Sequence, residues 1–102
     1  MIYIYYLYDP VGKLPFYVGS TKNPKRRLKE HYTTSDWPID KLWTKDTKKD
    51  QLIRERRKER IKIDLVIIEE VPKHLAKIRE RYHYIRLKWE GYELLNVAKI
   101  KQ

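Results

Sequence analysis

The N-terminal segment concentrates the residue types that favour β-strands. Residues 2–8 (IYIYYLY) are Ile, Tyr and Leu only, which suits a pleated strand. The sequence DPVG at 9–12 has turn residues, and 14–18 then gives a second short strand. The pattern predicts a β-hairpin. Pro15 requires an edge strand or a strand start, since proline lacks the N–H that a central strand must donate.

A helix is predicted directly after this hairpin. Asn23 suits an N-cap and Pro24 the first helical position, which opens a helix running to about residue 32. Leu28 and Tyr32 lie one turn apart on it, so they are the predicted buried stripe.

The middle of the chain is less regular. Residues 33–47 are predicted to be irregular, except for one short helix after the proline in this segment, which would bury Leu42 and Trp43. A charged helix follows at about 48–60. Residues 61–68 (IKIDLVII) are rich in β-branched side chains and predict the clearest strand of the protein.

The last helix is predicted from near Pro72 to about Trp89, with Gly91 just beyond its end. At about 100° per residue it has two apolar faces. One face carries Leu75, Ile78, Tyr82, Ile85 and Trp89, and the opposite face carries Ala76, His83, Tyr84 and Leu87. Two basic strips run between them, Arg79 with Arg86 and Lys77 with Arg81 and Lys88. A helix that is apolar on both sides is usually sandwiched inside a domain, so both faces are expected to be covered.

These elements predict an α+β fold in the order β-β-α-α-β-α, with a small three-stranded antiparallel sheet flanked by helices. A chain of 102 residues has room for one domain, 1–102. It contains no cysteine, which excludes disulfides, thiolate zinc sites and a cysteine nucleophile. The N-terminus lacks the features of a signal peptide, and no apolar run could span a bilayer. A cytoplasmic location, in a cell or an infected host, is the expectation.

The chain is strongly basic, with 24 Lys and Arg against 14 Asp and Glu and a net charge of +10. Such a charge on a small body attracts polyanions, of which nucleic acid is the first candidate. An anionic membrane surface is a weaker candidate, because no segment is predicted to be a basic helix with one clean apolar face. Charge that serves only solubility is the alternative.

Glu80 lies in the middle of the second apolar face of the last helix. A carboxylate on a packed face is costly unless it is paired or binds a cation. Glu80 therefore either forms a buried salt bridge with one of the arginines or serves as a ligand for a hard divalent ion. The helix pattern alone does not choose between them.

A second group of candidate residues follows the hairpin. Tyr17-Val18-Gly19 ends the second strand, and Arg27 and His31 lie one turn apart at the edge of the buried stripe of the next helix. The ordinary interpretation is an exposed helix face on which Arg27 pairs with Glu30.

At this point the chain resembles the GIY-YIG nuclease superfamily, which includes the catalytic domains of homing endonucleases and excision-repair nucleases. The matching residues, in order along almost the whole chain, are Tyr3-Ile4-Tyr5, Tyr17-Val18-Gly19, Arg27, His31, Glu80 and Asn96. Tyr3 replaces the first glycine of the family pattern, and His83-Tyr84 stand where relatives often have Trp-Ile. Tyr6 could take the role of Tyr5; Tyr5 is preferred because Ile4 precedes it and Leu7 follows two residues later.

The resemblance implies a metal-dependent endonuclease that hydrolyses DNA phosphodiester bonds. Glu80 would hold one Mg²⁺ or Mn²⁺, and Arg27 would grip a phosphate oxygen. Tyr5, or Tyr17 beside it, would take a proton from water, which requires nearby cations to acidify the phenol. His31 would hydrogen-bond a tyrosine or the phosphate or relay protons. Gly19 and Asn96 would be structural; for the tyrosines, plain strand packing is the alternative.

DNA would be held by basic side chains outside the reacting centre. The candidates on the first helix and before it are Lys22, Lys25, Arg26 and Lys29. The charged helix adds Arg54, Arg56, Arg57, Lys58 and Arg60, although its interspersed acidic residues are equally typical of a solvated face.

Three functions remain open from the sequence. The first is an active endonuclease, and the second is a domain of the same kind that binds nucleic acid without cutting or acts only with a partner. A homodimer or a partner protein would then supply specificity, since the chain has no room for a separate DNA-binding domain. The third is a small basic protein with a structural or inhibitory role.

Overall fold

In the computed structural model, residues 1–35 and 48–96 are described, with side chains described for all of them except 33–35. The short helix predicted after residue 38, with Leu42 and Trp43, lies outside the described residues. The strands are β1 (Ile2–Asp9), β2 (Leu14–Thr21) and β3 (Asp64–Val71). The helices are α1 (Pro24–Ser35), α2 (Lys48–Lys58) and α3 (Ala76–Trp89), the last preceded by a 3₁₀ turn at Lys73–Leu75.

The described residues confirm the α+β fold and the order β-β-α-α-β-α. One antiparallel sheet has the strand order β2-β1-β3, so that β1 lies in the centre and pairs with both neighbours. Pro15 pairs opposite Tyr8, near the start of the edge strand β2, as predicted for a proline in a sheet. Within residues 1–35 and 48–96, no helix is long and apolar enough to cross a bilayer.

Helix caps follow the predicted chemistry. The Asn23 side chain accepts a hydrogen bond from the backbone N–H of Arg26 at 3.1 Å, and Pro24 opens α1. At the other end of the domain Gly91, with φ of 100°, follows α3 in a conformation that glycine adopts without strain.

The strand alternation sends successive side chains of β1 to opposite faces of the sheet. Tyr5 and Leu7 pack with Phe16, Ile53 and Ile63 on the face covered by α1 and α2. On the other face the core consists of Ile2, Ile4, Val18, Val71, Ala76, Leu87 and Leu94, under α3. Tyr6 packs against this second cluster, so Tyr5 and Tyr6 belong to different sides of the sheet.

The strands run further along the chain than predicted. β1 continues to Asp9 and β2 to Thr21, and β3 begins at Asp64 rather than at residue 61 and ends at Val71 rather than at residue 68. Arg60 has a φ of 60°, which breaks the chain direction after α2. The backbone N–H of Ile63 then donates to the Tyr32 hydroxyl at 3.1 Å instead of to a neighbouring strand. Tertiary contacts therefore decide where pairing with β1 begins.

A bidentate ion pair anchors α2 to the hairpin. The Arg56 guanidinium donates to both carboxylate oxygens of Asp9, at 2.8 and 3.0 Å, and Asp9 is almost fully buried. These hydrogen bonds and charges lower the pKa of Asp9. Arg56 is thus committed to the fold, and the charged helix is not simply a solvated face.

The expectation that both apolar faces of α3 are covered is wrong. Ala76, His83 and Leu87 are buried against the sheet, whereas the opposite face is exposed. The exposed side chains on that face are Leu75, Ile78, Tyr82, Ile85 and Trp89. The reason is topological: within residues 1–35 and 48–96 the sheet has one layer of helix on each side, and α3 is the outer layer on its side.

Candidate active site

The phenol of Tyr5 lies across β2 at Gly19, its cross-strand partner. A β-carbon placed on residue 19 would lie 2.6 Å from the Tyr5 hydroxyl and 2.7 Å from its ring carbon Cζ. No side chain fits there, so glycine is required by close approach. Tyr5 is fully buried, and the absence of a side chain at Gly19 lets the phenol approach the edge strand closely.

His31, from α1, connects the two strand tyrosines. Its Nε2 atom lies 2.8 Å from the Tyr5 hydroxyl, and its ring meets Tyr17 edge-on at a centroid distance of 5.1 Å. The rings of Tyr5 and Tyr17 are 6.5 Å apart. The three side chains form one aromatic cluster between β1, β2 and α1. Tyr6, on the other face of the sheet, is not part of it.

Lys49, at the start of α2, completes this cluster and was missed by the sequence reasoning. Its Nζ atom lies 3.1 Å from His31 Nδ1 and 3.1 Å from an Asp50 carboxylate oxygen, and 5.4 Å from the centre of the Tyr17 ring. A signal was present: Lys49 is one helical turn from buried Ile53, so it shares the inward stripe of α2.

The charge on Lys49 sets the hydrogen-bond direction through His31. An ammonium group only donates, so His31 Nδ1 accepts, and a neutral ring then carries its proton on Nε2. That proton is donated to the Tyr5 oxygen, and the Tyr5 hydroxyl hydrogen must point elsewhere. Burial, together with the charges of Lys49 and Arg27, lowers the pKa of His31 to about 3, so the ring is neutral at physiological pH.

Arg27 lies one turn before His31 on α1 and faces both solvent and site. Its Nε donates to Glu30 at 3.0 Å, which is the surface pair weighed from the sequence. Its Nη1 donates to the backbone carbonyl of Ser20 at 3.5 Å. Its positive charge and its hydrogen bond to the phenol also act to lower the pKa of Tyr5. Arg27 therefore serves the surface pair and the site together.

Glu80 approaches from α3, on the other side of the edge strand. The hydroxyl of Ser20 donates to its carboxylate at 2.7 Å. Among the described residues Glu80 bonds to this serine and to no arginine. The buried salt bridge with an arginine, which was one of the two alternatives for Glu80, is therefore not found there. Glu80 is close enough to raise the pKa of both Tyr5 and Tyr17 by its negative charge.

Both phenols are harder to ionise than an exposed tyrosine. Burial is the largest cause of the raised pKa of Tyr5, and the positive charge of Arg27 offsets it only in part. Burial likewise raises the pKa of Tyr17, followed by the charge of Glu80. The expected acidification is therefore not achieved by the arginine alone, and a further cation beside Glu80 would be needed to favour the phenolate.

The donor set suits a lightly coordinated hard cation. In the described part of the chain no three His, Cys, Asp or Glu side chains cluster in a way that could hold a metal ion. Mg²⁺ commonly keeps several waters and uses one or two carboxylates together with substrate phosphate oxygens. The Glu80 carboxylate with the Ser20 hydroxyl beside it fits that mode of binding.

Asn96 ties the C-terminal segment to the free edge of β2. Its side-chain amide accepts from the backbone N–H of Val18 at 3.0 Å and donates to the Val18 carbonyl at 2.8 Å. The neighbouring N–H of Leu95 donates to the Phe16 carbonyl at 2.7 Å. These bonds brace the strand that carries Tyr17, Gly19 and the serine contacting Glu80.

The predicted DNA-binding residues fall into two places. Lys22, Lys25, Arg26 and Lys29 are exposed around the start of α1. Lys22, Arg26 and Arg27 share a cavity of about 280 Å³ at this end of the site. Arg54 is half-buried on α2. Arg57 stacks 5.5 Å over the Tyr32 ring and lines a cavity of about 560 Å³, which none of the catalytic candidates lines.

The chain is matched over residues 1–93 by the family model described as GIY-YIG catalytic domain. The fold and the site thus define a nuclease-type domain, and the chain belongs to the GIY-YIG family. Comparison with curated proteins and with solved structures gives no significant match. Members of this family are nucleases that generally use a divalent metal, and the domain implies DNA as the substrate.

Proposed function

We propose that the protein is a metal-dependent endonuclease that hydrolyses DNA phosphodiester bonds with a tyrosine-assisted water. The observation that carries the proposal is the convergence at one sheet edge of a linked Tyr5–His31 pair, Tyr17, an arginine and the Glu80 carboxylate. Phosphodiester hydrolysis needs this set: an activated water, positive charge at the phosphate and proton transfer.

Each side chain has a distinct task. Glu80, with Ser20 beside it, would hold one Mg²⁺ or Mn²⁺. The bound cation would offset phosphate charge and lower the pKa of the phenols and of water. Arg27 would direct its remaining guanidinium donors at a non-bridging phosphate oxygen.

Tyr5 is the better placed of the two tyrosines to accept a proton. Its oxygen accepts a hydrogen bond from the Nε2–H group of His31, and this bond becomes stronger when the oxygen is a phenolate. The positive charge of Lys49, on the other side of His31, further favours the phenolate form of Tyr5. Tyr17, at the open side of the cluster, would orient the water or the phosphate.

Basic residues around the start of α1 would guide the DNA backbone to this site. Lys22, Lys25, Arg26 and Lys29 are exposed there and would contact phosphates without reading sequence. Arg54 and Arg57 would extend the basic surface along α2 for a longer duplex.

The second candidate function is a nucleic-acid-binding domain that does not cut alone. It is favoured by the raised pKa of both tyrosines, because without a cation beside Glu80 neither phenol would act as a base at neutral pH.

A plasmid assay separates the two functions. Supercoiled plasmid is incubated with the protein in Mg²⁺ or Mn²⁺, and nicked and linear products are measured. Glu80→Gln and Arg27→Met are each expected to reduce cleavage by at least about 100-fold. Exposed residues provide matched controls, Glu93→Gln and Arg81→Met, which should retain activity. Salt-sensitive DNA binding without metal-dependent cleavage would instead assign the binding function.

A further inference from the structure

The outer face of α3 carries large apolar side chains that are exposed and that no other described element of the domain covers. Trp89 is 86% exposed, Ile78 64% and Tyr82 47%, and Ile85 and Leu75 are 43% and 36% exposed. Soluble domains rarely leave a continuous stripe of this kind on their surface without a binding role. We refer to these five residues as the α3 seam.

The spacing of the α3 seam is that of a coiled-coil heptad. The residue numbers 75, 78, 82, 85 and 89 are separated by three, four, three and four positions, the a and d positions of two successive heptads. A strict a/d stripe is narrow. It suits one partner helix better than a membrane surface, which requires a broader apolar face.

The inner face of the same helix is already used by the domain. Ala76, His83 and Leu87 are buried, and Glu80 reaches Ser20. The seam is on the opposite side, so a helix bound there would leave the candidate active site open. Because α3 is already ordered by the domain, pairing would cost conformational entropy mainly in the partner.

The residues flanking the α3 seam are basic at every e and g position within the helix. The e positions are Arg79 and Arg86, which also pair with Glu69 and Glu90, and the g positions are the exposed Arg81 and Lys88. Flanking charges of this kind select the partner in helix pairs.

A second copy of the chain is a poor partner for this surface. In a parallel pair g faces e of the partner, and in an antiparallel pair g faces g and e faces e. Either arrangement places basic side chains against basic side chains, on molecules that each carry a net charge of +10.

We propose that the α3 seam binds an amphipathic helix of a partner, with apolar a and d residues and acidic residues at e and g. Apolar anchors would insert between the seam residues, and the acidic side chains would pair with Arg81 and Lys88. The proposal concerns binding alone and is independent of whether the domain cleaves DNA.

The test uses the full chain and two designed peptides of about four heptads with Leu at a and d. One peptide has Glu at every e and g position, and its control has Lys there. Titration calorimetry is expected to show binding of the acidic peptide, weakened by salt, and at least tenfold weaker binding of the basic one. Equal affinity for both peptides, or no binding of the acidic one, would overturn the proposal.

Two sets of variants locate the binding face. Ile78→Ser and Ile85→Ser should each weaken binding of the acidic peptide about tenfold, since both side chains are exposed and their loss spares the core. Ile67→Ser, at an isoleucine 49% exposed on β3, is the matched control and should bind as before. The double change Arg81→Glu with Lys88→Glu should remove the preference for the acidic peptide, while Arg79 and Arg86 keep the e positions basic.

Two further measurements test the two other possible occupants of the α3 seam, a second copy of the chain and a membrane surface. Sedimentation of the chain alone is expected to show a monomer; a dimer that Ile78→Ser dissociates would reassign the seam to a second copy. Vesicles containing phosphatidylserine should not compete with the acidic peptide. Tighter binding to those vesicles than to the peptide, lost in Ile78→Ser, would assign the face to a membrane surface and refute the proposal.

Discussion

His31 is held neutral in the folded protein, and this predicts a specific loss of stability in mild acid. Burial, followed by the charges of Lys49 and Arg27, lowers the pKa of His31 to about 3. The unfolded chain would titrate near the ordinary value of about 6.5. A group whose pKa is depressed by folding contributes stability that is complete above about pH 6.5 and is lost as the pH falls toward 3.

The size of the effect follows from the difference between the two pKa values. One pKa unit corresponds to about 1.36 kcal/mol, so His31 contributes about 2 kcal/mol of destabilisation at pH about 5 and about 5 kcal/mol once both states are protonated. Other titrating groups also change stability over this range. Comparison with a variant in which residue 31 does not titrate isolates the contribution of His31.

The variant is His31→Gln, which is neutral at every pH. Urea unfolding, followed by far-ultraviolet circular dichroism at pH about 7 and about 5, gives the free energy of unfolding of each protein. The native protein should lose about 2 kcal/mol more than His31→Gln between the two pH values. His74→Gln is the control, because His74 is exposed on the 3₁₀ turn and this variant should follow the native protein. If His31→Gln loses as much stability as the native protein, the imidazole is not held neutral and the proposed hydrogen-bond direction is wrong.

Three further perturbations test other parts of the structure. Asp9→Asn leaves the Arg56 charge poorly compensated and should cost about 3 kcal/mol in urea unfolding; a cost under about 1 kcal/mol would show that the pair is not structurally important. Lys49→Met should raise the pKa of His31 and let the Nδ1-protonated form of its ring appear in ¹⁵N NMR spectra; an unchanged spectrum would contradict the assigned tautomer. Gly19→Ala should displace the phenol that lies across this residue and reduce nuclease activity roughly 100-fold, with near-native circular dichroism. Full activity in that variant would show that the position of the phenol is unimportant.

The elements of the fold that depend on neighbouring residues were predictable from the chain alone. The β1–β2 hairpin, the Asn23 cap and the end of α3 before Gly91 each follow from a few adjacent residues with strong conformational preferences. The start of β3 was not predictable in this way. The strand begins where β1 offers pairing partners, just after the residue whose N–H, that of Ile63, donates to the Tyr32 hydroxyl.

Candidate site residues at short sequence separation were the easiest to propose. Arg27 and His31 are one helical turn apart, so their common direction is a property of α1. The choice between Tyr5 and Tyr6 required the sheet, because alternation puts them on opposite faces and only packing shows which face meets α1.

The contacts that cross the domain were decided by the tertiary structure alone. Lys49 reaches His31, and Ser20 reaches Glu80, across 18 and 60 residues of chain. The outer face of α3 makes the same point: its apolar stripe was visible in the sequence, but its exposure follows from its place as the outermost layer. Periodicity shows which side chains share a face, and only the assembled fold shows what, if anything, covers that face.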